Sequence, residues 1–161
     1  AILCCALFSE IAAWAKDQGK TLYQLLIEVY LKFGLYKEHL ISVTKKGKEG
    51  AEEISAMMER FRSNPPKTIG GSPVKVVHDF KKQQTQNIAK GTLEAIKLPK
   101  SDVLQFITED STRISIRPSG TEPKIKFYFG VKGQIKSPAE YEIVLKKLDA
   151  KIEGIIKEMN L

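Results

Sequence analysis

The residues with the most chemistry to offer lie between Arg113 and Phe129, in the string Arg-Ile-Ser-Ile-Arg-Pro-Ser-Gly-Thr-Glu-Pro-Lys-Ile-Lys-Phe-Tyr-Phe. Strand alternation separates Ile114 and Ile116 from Arg113, Ser115 and Arg117. It likewise separates Ile125, Phe127 and Phe129 from Lys124, Lys126 and Tyr128. With the apolar sets sharing a buried face, Arg117 and Lys126 emerge on the same open face and flank the loop Pro118-Ser119-Gly120-Thr121-Glu122-Pro123. That loop brings two hydroxyls, a glycine that lets backbone N–H groups turn inward, and two stiffening prolines. Hydroxyls, inward amides and a guanidinium fork suit a phosphate dianion, and Lys126 adds a point charge. A carboxylate repels phosphate, so Glu122 should point away or bond a backbone amide. The same residues also read as a basic hairpin with an ordinary Pro/Gly turn.

The elements that must position this loop follow from periodicity. Ile2, Leu3, Ala6, Leu7, Ile11 and Trp14 have helical spacing, and Gly19 is a helix stop. Thr21 caps a second helix carrying Leu22, Leu25, Leu26 and Val29, ending near Phe33-Gly34. Residues 37–44 read as a strand and 49–62 as a helix with Ala51, Ile54, Met57, Met58 and Phe61 on one face. Asn64-Pro65-Pro66 stops that helix, and Gly70-Gly71 turns the chain into a strand at 74–78. Residues 81–100, polar and rich in Lys and Gln, read as a mobile loop. Strands follow at 103–108, 112–117 and 124–131. Ser137-Pro138-Ala139-Glu140 then forms a capping box ahead of a helix bearing Tyr141, Val144, Leu145, Leu148, Ile152, Ile155, Ile156 and Met159. This order is α+β, with helices on one face of a mostly antiparallel sheet.

The chain has 161 residues, with 26 Lys+Arg against 19 Asp+Glu and a net charge of +7. Its composition excludes a disordered acidic tail, a collagen-like repeat and a disulfide scaffold. No apolar run reaches the ~20 residues of a membrane helix. The sequence opens on Ala1 without an initiator Met and reads as processed or cut from something longer. Its apolar start lacks a preceding basic stretch and is interrupted by Glu10, so it reads as a buried helix face rather than a signal peptide. Cys4 and Cys5 read as buried free thiols of a reducing compartment. With no histidine at ligand spacing they make no zinc site, and His39 and His78 stand isolated. Charges within residues 1–34 cancel, so the basic excess lies in 35–161.

The string from Arg117 to Tyr128 resembles the phosphate-binding signature of the α-D-phosphohexomutases, the phosphoglucomutase/phosphomannomutase family, with no departure within it. Residues 21–34 resemble the end of that family's third domain, and 36–62 and 70–79 the lead-in to the fourth. The resemblance implies two parts: residual helices of domain 3 at 1–34, and the phosphate-binding domain 4 at 35–161. For the latter it implies a four-stranded, mostly antiparallel sheet flanked by two helices, like the TATA-binding protein. Position by position, Arg117, Ser119, Gly120, Thr121 and Lys126 would hold the non-reacting phosphate of a hexose phosphate.

The resemblance further implies an isomerase of carbohydrate metabolism, an intramolecular phosphotransferase acting through a phosphoserine and interconverting sugar 1-phosphate and 6-phosphate in the cytoplasm. The family's nucleophilic serine, its Mg²⁺ loop and its sugar loop lie in domains 1 to 3, and no serine here has the nucleophile's context. This chain would thus carry no catalytic residue and no metal ligand, with Mg²⁺ bound outside it, and would be inactive alone. Its partners would be the hexose phosphate and upstream domains of the same enzyme. Phe127-Tyr128 favours the glucose/mannose or pentose branch; phosphoglucosamine mutase and phosphopentomutase are the neighbouring alternatives. A basic nucleic-acid-binding module is the rival class, but no pair of RNA-stacking motifs is present, so neither nucleic acid nor membrane is expected as a partner. Self-association through 1–34 is expected from its apolar faces.

Overall fold

The computed structural model describes residues 2–161. The chain forms two compact units, Ala1–Tyr36 with Gly133–Lys147, and Lys37–Lys132 with Leu148–Leu161. Among the described residues no helix is long and apolar enough to cross a membrane.

The larger unit is built on a sheet. In chain order its elements are β1 (Leu35–Thr44), α3 (Gly47–Ser63), β2 (Thr68–Ile69), β3 (Ser72–Asp79), β4 (Gln84–Asn87), β5 (Thr92–Ala95), β6 (Leu104–Thr108), β7 (Arg113–Pro118) and β8 (Lys124–Gly133). The spatial order is β1-β8-β7-β6-β3-β4-β5, with β2 paired to β3. The pairs β2–β3, β3–β4, β3–β6, β4–β5, β6–β7 and β7–β8 are all antiparallel. The class is α+β, as the sequence predicts. Eight strands are described where four were expected.

Alternation makes one face of this sheet the core. Phe106, Ile114, Ile116, Ile125 and Phe127 are fully buried, and Phe129 and Val131 nearly so. Helix α3 adds Ile54 and Met58, and its Phe61 ring lies 6.3 Å from both Phe106 and Phe127. Helix α4 (Tyr141–Glu158) contributes Leu148, Ile152 and Ile155. Gly70 needs its glycine: φ is +56°, and a Cβ would meet Ile155 Cγ1 at 2.9 Å.

The hairpin β4–β5 replaces the mobile loop expected at 81–100. Its strands bury no apolar face, and polar side chains near its ends hold it. The Asp79 carboxylate accepts from the Lys81 and Lys82 amides at 3.0 and 3.1 Å, closing the turn out of β3. Arg62, buried in the last turn of α3, pairs with Asp79 and Asp102 and so clamps both ends of the excursion. The Gln83 side-chain amide donates to the Phe80 carbonyl, and Gly91, with φ +65°, turns the hairpin.

The smaller unit contains α1 (Ile2–Asp17) and α2 (Leu22–Phe33). Thr21 and Gln24 form a complete capping box on α2, and Gly19 ends α1 with φ +67°. Tyr141 stacks on Tyr30 and meets Tyr23 edge-on. Three expectations are corrected here. The apolar face of α1 is exposed, with Ile2, Leu3, Leu7, Phe8, Ile11 and Trp14 open to solvent and Ala15 alone of that helix buried. Cys4 and Cys5 are free but exposed with it. Spacing identifies a face that seeks cover, and the described chain does not supply it. The capping box at Ser137 is also incomplete. Ser137 makes no side-chain cap, Glu140 reaches back to the Lys136 amide at 2.9 Å, and Pro138–Glu140 forms a 3₁₀ turn before α4.

At the β6–β7 turn, Asp110 carries the one strongly perturbed carboxyl among the described residues. Partial burial pushes its pKa up, but hydrogen bonds from Lys151, Thr108 and Thr112 outweigh this and hold it well below the ordinary carboxylate range. A depressed folded pKa stabilises above the unfolded value, near 4, and the benefit fades as pH falls through the folded value. Asp110→Asn should therefore lower the melting temperature at pH 7. The gap from the parent should narrow as pH drops below about 4 in thermal scans; a gap independent of pH would contradict it.

Candidate functional site

The register of β7 against β8 pairs Ile116 with Phe127 and Arg117 with Lys126. The first pair is fully buried, so the second stands on the opposite, open face. Beyond it Pro118 faces Ile125, and the chain leaves the ladder for residues 119–123.

The loop is tied at its base and open at its tip. The Ser119 amide donates to the Lys124 carbonyl at 2.7 Å, and the Lys124 amide to the Glu122 carbonyl at 2.8 Å. The Lys45 amide, just past β1, donates to the Pro123 carbonyl at 2.9 Å, fixing the loop's exit. At the tip, the Thr121 amide reaches Ser119 Oγ at 3.4 Å and the two hydroxyls stand 3.5 Å apart. These long contacts leave the hydroxyl groups free to turn toward a ligand.

The result is a cleft of about 340 Å³ lined by Arg117, Pro118, Ser119, Gly120, Thr121, Glu122, Lys124 and Lys126. All five residues picked out from the sequence, Arg117, Ser119, Gly120, Thr121 and Lys126, meet here. Lys124 joins them unforeseen. The signal was available: it alternates with Lys126 across Ile125, so both ammonium groups share the face of Arg117. Glu122 borders both this cleft and a second one behind the loop, with Ser55, Met58 and Glu59. Three cations against one carboxylate, with two hydroxyls between, match a dianion in charge and in donors.

Further along the same face, His78 adds no cation. His78 shares a hydrogen bond between Nδ1 and Thr85 Oγ1 at 2.8 Å. Burial, then the charge of Arg113, push its pKa below the usual value, so the ring is neutral at pH 7. Among the described residues no group of three or more His, Cys, Asp or Glu side chains is placed to hold a metal ion.

Residues 73–141 match the family model of the phosphoglucomutase/phosphomannomutase C-terminal domain. The match includes β7, the loop and the cleft-lining part of β8, so residues 73–141 are similar to the C-terminal domain of that family. Among curated relatives, phosphoglucomutase of Staphylococcus aureus strain bovine RF122 / ET3-1 is 38% identical over 146 residues, 91% of this chain and 25% of that protein. The enzyme of strain USA300 matches to the same extent. The chain thus spans about a quarter of the length of the curated relatives it matches. A solved structure, the open form of the phosphoglucomutase parafusin from Paramecium, covers 91% of this chain at 17% identity, with a TM-score of 0.45.

Gly120 separates folding from binding. Its φ is not in the left-handed region, and a Cβ there would meet nothing within 4 Å. Gly120→Ala should leave stability within about 0.5 kcal/mol of the parent by denaturant titration, as for other unconstrained surface positions. A large loss of stability would mean that the loop needs the glycine for its own backbone.

Proposed function

We propose that the cleft at the β7–β8 loop binds the non-reacting phosphate of a sugar phosphate, as the phosphate-recognition part of a phosphohexomutase. The observation that carries this is the convergence of Arg117, Lys124 and Lys126 with the Ser119 and Thr121 hydroxyls around one cleft sized for a phosphate and part of what it esterifies. In this reading Arg117 grips two phosphate oxygens, the lysines neutralise charge, and the loop hydroxyls and amides fix orientation. Residues 35–161 act as the fourth domain and 1–34 as the end of the third.

The complete enzyme would interconvert sugar 1-phosphate and 6-phosphate through a phosphoserine on its upstream domains, in the cytoplasm. Grip on a phosphate remote from the reacting centre serves rate as well as affinity, because its binding energy can hold the substrate in place for transfer. A domain that closes with its ligand would also keep water from the phosphoserine. Mg²⁺ would sit on those upstream domains. The chain by itself should bind sugar phosphate weakly and turn nothing over.

Titration of the chain with glucose 1-phosphate tests this by amide chemical shifts. Gly120 and Thr121 should move first, and Arg117→Ala should weaken binding by about ten- to a hundredfold, the value of a lost charged hydrogen-bonding partner. Shifts confined to remote residues would refute the assignment. The exposed apolar face of α1 supports a second expectation, that the chain self-associates through 1–34. Sedimentation should show concentration-dependent dimers that Leu7→Glu with Trp14→Glu abolishes; a monomeric parent would refute it.

A further inference from the structure

The open face of β7 and β8 does not end at the phosphate cleft. Its rows run Arg117–Lys126, then Ser115–Tyr128, then Arg113–Gly130, each about 7 Å from the last. A second cleft, of about 420 Å³, begins at the Ser115–Tyr128 row. Glu38, His39, Gln105 and Arg113 complete the part of its wall that matters here. We propose that this cleft receives the sugar ring of the ligand whose phosphate occupies the first, and that Tyr128 is a residue that determines specificity for a sugar over a bare phosphate. The proposal rests on the phosphate reading above.

Charge argues for a ring rather than a second phosphate. The first cleft sets three cations against one carboxylate, whereas here Arg113 stands against Glu38. A near-neutral wall has no preference for another dianion. Hydrogen-bonding capacity points the same way. Gln105 Nε2 donates to Ser115 Oγ at 2.8 Å, which leaves the Gln105 carbonyl as an acceptor and the Ser115 hydroxyl as a donor. The Arg113 guanidinium makes no ion pair among the described residues and keeps its donors. Donors and acceptors on one wall suit neighbouring hydroxyls, each of which does both.

Tyr128 supplies the surface. It is 39% exposed on a strand whose alternate residues Phe127 and Phe129 are at most 2% exposed. Among the described residues its ring pairs with no other ring. A pyranose has an apolar C–H face that can cover such a ring.

The test compares methyl phosphate with glucose 6-phosphate on the 161-residue chain by calorimetry; both are phosphate monoesters, and one carries a ring. Glucose 6-phosphate should bind about three- to tenfold tighter. Tyr128→Ala should remove that preference with methyl phosphate affinity unchanged, and Tyr128→Phe should retain it. Arg113→Gln, on the far wall, should also reduce the preference, which guards against a folding defect in the alanine variant. Equal affinities in the parent, or a preference that survives both Tyr128→Ala and Arg113→Gln, would overturn the proposal. Absence of binding by both esters would instead overturn the phosphate reading, and this one with it.

Discussion

The pairing of Ile116 with Phe127 across β7 and β8 fixes everything that matters about the site. Both side chains are fully buried, and Phe127 meets the Phe61 ring of α3. Because side chains alternate, locking that pair inward forces Arg117 and Lys126 outward as direct neighbours. A slip of one residue would drive a guanidinium and an ammonium into an apolar core, at a cost of several kcal/mol for each charge left unpaired. The register is therefore enforced by burial on one face and read out as electrostatics on the other. The site is positioned by residues that never touch a ligand.

That arrangement has its own cost. Three like charges around one cleft repel each other, and no ion pair to a carboxylate relieves Arg117, Lys124 or Lys126 among the described residues. The unit offsets the repulsion elsewhere. The buried sheet face supplies hydrophobic stabilisation. The base of the loop is held by backbone hydrogen bonds of 2.7 to 2.9 Å. Only the tip, where Ser119 and Thr121 meet at 3.4 to 3.5 Å, is loosely bonded. A firm base with an unsatisfied tip is what a preorganised anion site requires, since the missing partners are the ones a ligand brings.

The parts of this molecule that were legible in the sequence are those decided by near neighbours along the chain. Alternation from Arg113 to Phe129 placed the apolar and cationic sets on the correct faces, and Thr21 as a cap announced the start of α2. The hairpin β4–β5 was not legible, because its order comes from Asp79 and from Arg62, a residue seventeen positions further back along the chain from Asp79. Its own strands, rich in Gln and Thr, show no period that distinguishes a polar hairpin from a loop. The exposure of α1 was misread for a related reason: helical spacing shows which face is apolar, not what lies against it. Lys124 was overlooked at the site, although the same alternation that selected Lys126 also selects it.

The distribution of charge also explains why a basic chain need not be a nucleic-acid binder. Many of the cations are paired locally, as in Lys20–Glu28, Lys37–Asp149, Lys45–Glu53 and Lys151–Asp110, which leaves the net excess itself unpaired. A nucleic-acid track needs cations spaced along a surface to follow successive phosphates. Here Arg117, Lys124 and Lys126 converge on one concavity of about 340 Å³. Next along the face the wall turns near-neutral and aromatic, where a polyanion would need more cations. In the proposed reading, convergence followed by neutrality suits a small ligand with one charged end and one polar, uncharged end, and the order of these two features along β7 and β8 would select for it more than the net charge of +7 does.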